Sequence, residues 1–303
     1  MERTGRPAMD KTSNKDEAAS KQEYNDLLKE AQSEVIVNEA ANSVDRHRTT
    51  WRRHKVALYW EGKNGEEKKF TFNEISESSN RFANILAKHN IKKGEVVMVF
   101  LPRVPYAYIG FLAAVKAGAI ACCLFSAFGE DGLFDRLEDS GARIILTNTE
   151  LKPRVDAVIG RLPNLKQVIV VDSPEFEKDI ASASPEFAAV KMEKDDGCFI
   201  VYTSGSTGKP KGVVHTHGGA ARRIATGKFV LDYRDEDMFW GTFDPGWANG
   251  PVYTLLSAWA NGVSELIYEG RFDVDKWYSR KEDHHHLPLL DIVLCKNVRK
   301  PIR

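Results

Sequence analysis

Eleven consecutive residues, Tyr202-Thr-Ser-Gly-Ser-Thr-Gly-Lys-Pro-Lys-Gly212, concentrate the groups that hold a polyphosphate. Gly205, Gly208 and Gly212 open backbone conformations closed to other residues, so amide N–H groups can turn toward an anion. Thr203, Ser204, Ser206 and Thr207 add hydroxyl donors, Lys209 and Lys211 add positive charge, and Pro210 limits collapse of the loop. Cys198-Phe-Ile-Val-Tyr202 before the loop is a strand-type run, and a helix is expected from about Gly219. Strand, glycine-rich loop and helix is the usual setting for nucleotide phosphates. A Walker-type loop fails on spacing. It needs glycine five residues before Gly208 and Ser or Thr after Lys209, where this chain has Thr203 and Pro210. The motif predicts a nucleotide site.

Other reactive side chains read more plainly. His215 and His217 alternate and would share a face of a continuing strand; no third ligand is near in sequence, so polar packing is expected and no metal site. Arg222 and Arg223 read as a solvated helix face. Asp244 either orients loop donors or caps a turn before Pro245. Cys122, Cys123, Cys198 and Cys295 have neither metal-ligand nor disulfide spacing, and the first three are expected as reduced core residues.

The elements that must position the loop follow from the apolar pattern. Short strands are expected at 56–60 and 69–72, then a helix capped by Asn73 and running to His89. Strands 95–101, 119–125, 143–147 and 167–171 alternate with helices 105–117, 131–140 and 155–162. That rhythm argues for an α/β fold of mostly parallel βαβ sheets covered on both faces. Residues 175–193 read as a connector, and Val44 and Trp51 as the first core anchors of a fold beginning near Asn42. The apolar stretch Tyr106–Phe128 approaches a membrane span in length, but Lys116 and Gly118 divide it into a buried helix and a strand.

Composition excludes several classes. Of 303 residues 42% are hydrophobic, enough for a substantial core. Lys+Arg and Asp+Glu both number 43, so no basic field draws the chain to nucleic acid or an anionic membrane. The polar first 25 residues lack the apolar core of a signal peptide, which predicts a cytoplasmic protein.

Tyr202 to Gly212, continued by Val-Val-His-Thr-His-Gly-Gly, resembles the AMP-binding signature of the adenylate-forming enzymes. Asp244-Pro-Gly-Trp-Ala-Asn-Gly250, Trp259-Ala-Asn-Gly262, Gly270-Arg-Phe272, Leu101-Pro-Arg-Val-Pro105 and Phe125-Ser-Ala-Phe-Gly129 are similar to the acetyl-CoA synthetase and short-chain branch. The resemblance implies the stacked α/β sheets of that N-terminal domain over residues 42–278, in halves 42–180 and 195–278, behind a polar extension 1–41. It implies an ATP-dependent acid–CoA ligase using ATP, Mg2+, coenzyme A and a small carboxylic acid. Thr203, Ser204, Gly205, Ser206, Thr207, Gly208, Lys209 and Lys211 would hold the phosphates. Trp247, Ala248, Asn249 and Gly250 would border the acyl and CoA pocket, with Arg154 as a coenzyme-phosphate arginine. Asn249 and Pro251 depart from the acetate-type pattern and leave propionate or a longer, medium-chain acid open.

The family's catalytic lysine and its Tyr-Gly-x-Thr-Glu segment are not found in this sequence. Residues 279–303 diverge, with His284-His285-His286 at their centre. Histidine codons are CAY; read one base later, three of them give Ile or Thr each time, a strand-like run, so the tail reads as an out-of-frame segment. The expectation is an incomplete ligase, weak or inactive alone. The alternative is a non-catalytic nucleotide-binding or interaction fragment that pairs through an unfinished sheet edge.

Overall fold

The structure, a computed structural model, describes residues 38–204 and 208–270, with 21–22 and 25–26. The extension up to residue 37 other than those four, the loop residues Gly205, Ser206 and Thr207, Cys295 and the tail 279–303 lie outside the described residues.

Two sheets organise the chain. The larger is β6-β5-β3-β4-β7-β8, made of β3 (Val96–Val99), β4 (Ile120–Cys123), β5 (Ile144–Thr147), β6 (Gln167–Val170), β7 (Gly197–Thr203) and β8 (Lys211–Thr216). All its pairings are parallel except β7 with β8. The smaller is β2-β1-β10-β9, from β1 (Val56–Glu61), β2 (Glu67–Thr71), β9 (Met238–Trp240) and β10 (Ser264–Tyr268). Here β1 runs parallel to β10, some two hundred residues later, and antiparallel to β2. Each sheet draws strands from both halves of the chain.

The period-two rule sorts the core. In β3, Val97 and Val99 point into the same apolar cluster as Phe82, Phe111 and, from the smaller sheet, Leu58 and Ile267. Val96 and Met98 point the other way, onto Leu133, Leu137 and Val155. Helices α2 (Phe72–Lys88) and α3 (Pro105–Lys116) therefore lie between the two sheets, while α4 (Glu130–Ser140) and α5 (Lys152–Ile159) cover the outer face of the larger one.

Local differences from the sequence expectation have physical causes. Thr71, not Asn73, caps α2: its Oγ1 accepts the Glu74 N–H while the Glu74 carboxylate accepts the Thr71 N–H, a closed capping box. Asn73 donates instead to Glu77. The expected connector contains a helix, α6 (Pro174–Ser182), started by Ser173 and held by Phe176 against the rings of Phe82 and Tyr106. Packing begins at Asn38, ahead of Asn42, because Asn38 caps the short helix α1 (Glu39–Ser43) and donates to the Val115 carbonyl. Val44 is fully buried, but Trp51 is 66% exposed, with the Arg52 guanidinium over its ring. Lys116 is buried at the end of α3, where Asp45 Oδ1 (2.6 Å) and Asn80 Oδ1 (2.8 Å) receive its ammonium; Gly118 turns the chain at φ +78. Among the described residues no helix is long and apolar enough to cross a membrane.

Candidate functional site

β7 delivers Thr203 and Ser204 to the carboxyl edge of the larger sheet, the edge where open α/β sheets hold ligands. The next element is a strand, not a helix. The loop closes an antiparallel hairpin in which Thr203 faces Lys211 and Tyr202 faces Gly212, and α7 (Ala220–Ala225) starts only after β8 and a 3-10 turn. Among the described residues no helix N-terminus follows the loop directly, so an anion held there would depend on loop amides, hydroxyls and lysines.

The described loop glycines do different work. Gly208 has φ +87 and open space around it, as an amide-presenting turn requires. Gly212 has no positive φ; a Cβ there would stand 3.2 Å from the Tyr202 ring, so its role is clearance rather than freedom. Tyr202 is in turn gripped by α4: its hydroxyl donates to Asp139 Oδ2 at 2.7 Å and the Arg136 guanidinium lies over its ring. Burial first, then that carboxylate, pushes the phenol up in pKa. Thr203, Ser204, Gly208, Lys209 and Lys211 are all exposed, the state a ligand-free polyanion loop should have.

The Asp244–Gly250 segment meets the same edge from β9. Asp244 Oδ1 accepts the Gly246 N–H (2.9 Å) and its backbone carbonyl accepts the Trp247 N–H (3.0 Å), so Asp244 caps the turn. Its Oδ2 accepts the Ser126 hydroxyl at 3.0 Å, which ties the segment to the residues leaving β4. Burial raises the Asp244 carboxyl above the usual range, against these hydrogen bonds. Gly246 lies flat on that strand end: a Cβ would stand 2.7 Å from the Leu124 carbonyl carbon and closer still to Phe125 N. Trp247 is 62% exposed, so it is no core aromatic; Ala248 is exposed, Asn249 half-buried, and Gly250 opens the π-helix Gly250–Ala258.

Arg154 reaches the same strand end from α5. Its Nη1 donates to the carbonyls of Ser126 (2.9 Å) and Phe128 (3.1 Å), beside a cavity of about 390 Å3 lined by Gly129, Glu130, Asp131 and Gly132. The stretch 124–129 is thus the meeting point of Arg154 and the Trp247 segment, and β4 pairs directly with the loop-bearing β7.

Three side-chain clusters depart from the sequence expectation. Arg223 is not solvated: its guanidinium forms a bidentate ion pair with buried Glu39, Nε to Oε1 at 2.6 Å. His215 and His217 do not share a strand face, since β8 ends at Thr216; His215 stacks on Phe199 and His217 is buried. His217 does come near two other potential ligands, with atoms of Glu39, Cys198 and His217 within 4.8 Å of one another. That trio does not suit a metal: Arg223 occupies both Glu39 oxygens, the Cys198 thiol donates to Glu39, and burial drives the thiol well above its usual pKa. No sequence signal points to Glu39, which lies about 160 residues or more from its partners. Ser126 and Gly246 are legible only as members of motifs. Cys122, Cys123 and Cys198 are buried and free, as expected.

A mostly parallel α/β sheet with a Ser/Thr/Gly/Lys hairpin at its carboxyl edge places the protein among the α/β folds that carry ligand sites at that edge. Residues 44–289 match the model of the AMP-binding enzyme family, and the chain belongs to that family. It is 41% identical over 255 residues to the acetyl-coenzyme A synthetase of Bacillus subtilis (strain 168), covering 81% of this chain and 44% of that protein. It is 36% identical over 273 residues to that of Methanothrix thermoacetophila, covering 82% and 41%. A crystal structure of Brucella canis acyl-CoA synthetase superposes with TM-score 0.74 at 29% identity over 82% of this chain and 46% of that one. The chain spans less than half the length of the curated relatives it matches.

Proposed function

We propose that this chain is the phosphate-loop-bearing part of an ATP-dependent acid–CoA ligase of the acetate–CoA ligase type. The carboxylate oxygen of a small acid attacks the α-phosphorus of ATP, the bond to the β-phosphate oxygen breaks, and pyrophosphate leaves with the electron pair. The coenzyme A sulfur then attacks the acyl carbon, and AMP departs with the oxygen. The observation that supports the reading is a shared edge: the β7–β8 loop leaves the larger sheet beside β4, and the Asp244 turn, which follows β9 of the smaller sheet, packs on the 124–126 residues that leave β4.

Each group has a physical task. Thr203, Ser204, Gly205, Ser206, Thr207, Gly208 and Lys209 receive the charge that gathers on departing pyrophosphate, with Lys211 on the rim. Among the described residues no cluster of carboxylates stands beside the exposed Thr203 and Ser204, which fits a Mg2+ carried mainly by phosphate oxygens; bound there, it would supply further charge neutralisation. Trp247, Ala248, Asn249 and Gly250 border the acyl and thioester channel, where an exposed indole offers an apolar wall. Arg154 keeps guanidinium N–H groups beyond Nη1 for a coenzyme phosphate, although Glu130 and Asp131 on the same rim weaken that attraction.

Titration with a fluorescent ATP analogue, followed by pyrophosphate release with acetate, propionate and hexanoate, tests this. The chain should bind the nucleotide, and Lys209→Ala should weaken binding about tenfold, equivalent to ~1.4 kcal/mol, with unchanged unfolding. Nucleotide binding that ignores Lys209, or none, removes the assignment. Binding without pyrophosphate release favours the non-catalytic alternative for this chain.

A further inference from the structure

Glu265 is the second residue of β10, an interior strand of the smaller sheet, in register with Leu58 of β1 and Phe239 of β9. It is 0% exposed, and among the described residues neither carboxylate oxygen has a hydrogen-bond partner. Two further buried oxygens in this layer, Tyr233 Oη and Thr254 Oγ1, are equally unpartnered. Thr254 projects from the π-helix Gly250–Ala258 onto the strand row of Gly241 and Ile267, next to the row holding Glu265. The titratable groups that feel Glu265 are Tyr108 on α3 and Tyr233 ahead of β9, both phenols that burial holds well above their usual range. Among the described residues no cation offsets the burial of this carboxyl, and desolvation raises its pKa well above the usual range, which favours the neutral form.

We propose that Glu265 is a proton-dependent latch: neutral, it lets β10 hold β1 and β9 together, and loss of its proton undocks β9, β10 and the 244–258 segment that carries Trp247. The sheet position makes the coupling direct, because β9 runs straight into the Asp244 turn and β10 is its only described neighbour in the sheet.

An acid whose pKa is raised by folding contributes fully below the free-carboxyl range and loses that contribution as pH rises toward the folded value. The folding equilibrium then falls about tenfold per pH unit. His47 and His217, lowered to about 4, act in the opposite direction and have finished above neutral pH. Buried thiols act later, since Cys122 is pushed up to about 12.

Chemical unfolding of the wild-type chain and of Glu265→Gln between about pH 5 and pH 6, just above the free-carboxyl range, is the test, the imidazole and thiol contributions being common to both. The ratio of their folding constants should shift about tenfold across that unit, in favour of the variant as pH rises. Parallel profiles overturn the latch. Should the glutamine amide prevent folding, Glu265→Leu replaces it, with the same expected pH shift. Infrared spectra at neutral pH provide a second readout: a carboxylic-acid carbonyl band that either variant loses supports a neutral Glu265, and no such loss refutes it.

Discussion

The loop at 203–211 and the turn at 244–250 use glycine at the same sheet edge for opposite reasons. Gly208 stands in open space with a left-handed backbone, so the chain there is free to wrap a ligand. Gly246 is pressed onto the backbone of Leu124 and Phe125, and Asp244 is bonded to Ser126, so that turn is rigidly seated. One region is shaped by the residues it contains, and the other by what it is packed against. Under the proposed function, the first construction suits a flexible polyphosphate and the second a fixed wall for a small acid.

The contrast can be broken at the base of the hairpin. The base of the hairpin should be as dependent on tertiary contacts as the Asp244 turn. Glu39→Ala leaves Arg223 buried without its counter-charge and should cost about 3–5 kcal/mol in urea unfolding, the largest effect expected here. A cost below about 1 kcal/mol would mean the pair is not buried in solution. Acid probes the same region. His217 and His47, neutral in the fold with values lowered to about 4, leave the unfolded chain binding more protons below its ordinary imidazole range. The imidazole contribution should therefore be complete above about pH 7 and be lost as pH drops, by up to about 3 kcal/mol per imidazole. His217→Gln should flatten one share of that slope.

The two glycines sharpen the contrast directly. Gly246→Ala forces backbone to move and should cost about 1–3 kcal/mol, with the Trp247 fluorescence changed. Gly208→Ala meets no neighbour and should cost about 1 kcal/mol or less from its positive φ, measured by the same unfolding curves. Equal costs would erase the distinction between the two constructions.

Much of the fold is legible in the chain because it is local. The rhythm of β3 to β6 and α3 to α5 follows from apolar period and glycine punctuation, and it survives with boundaries shifted by one to three residues. Helix α6 leaves little trace in the sequence because its apolar content is thin; Phe176, docked on Phe82 and Tyr106, is its buried side chain, with Ile180 partly buried against the same core. The hairpin after β7 reads as strand–loop–helix because β8 is exposed along most of its length and lacks the alternation that marks a half-buried strand.

The α/β class and the separation of the apolar stretch 106–128 into helix and strand were determined by sequence alone, and the composition of the 202–212 loop is what motivates the proposed nucleotide site. Backbone freedom, side-chain donors and hydrophobic period act over a few residues. Three things were decided only by the tertiary structure: that Arg223 pairs with Glu39, that Ser126 and Arg154 converge with the Trp247 segment, and that Glu265 is buried without a partner. Charge, burial and clearance at those positions are set by residues tens to hundreds of places away, and their energies exist only once the two sheets have closed on α2 and α3.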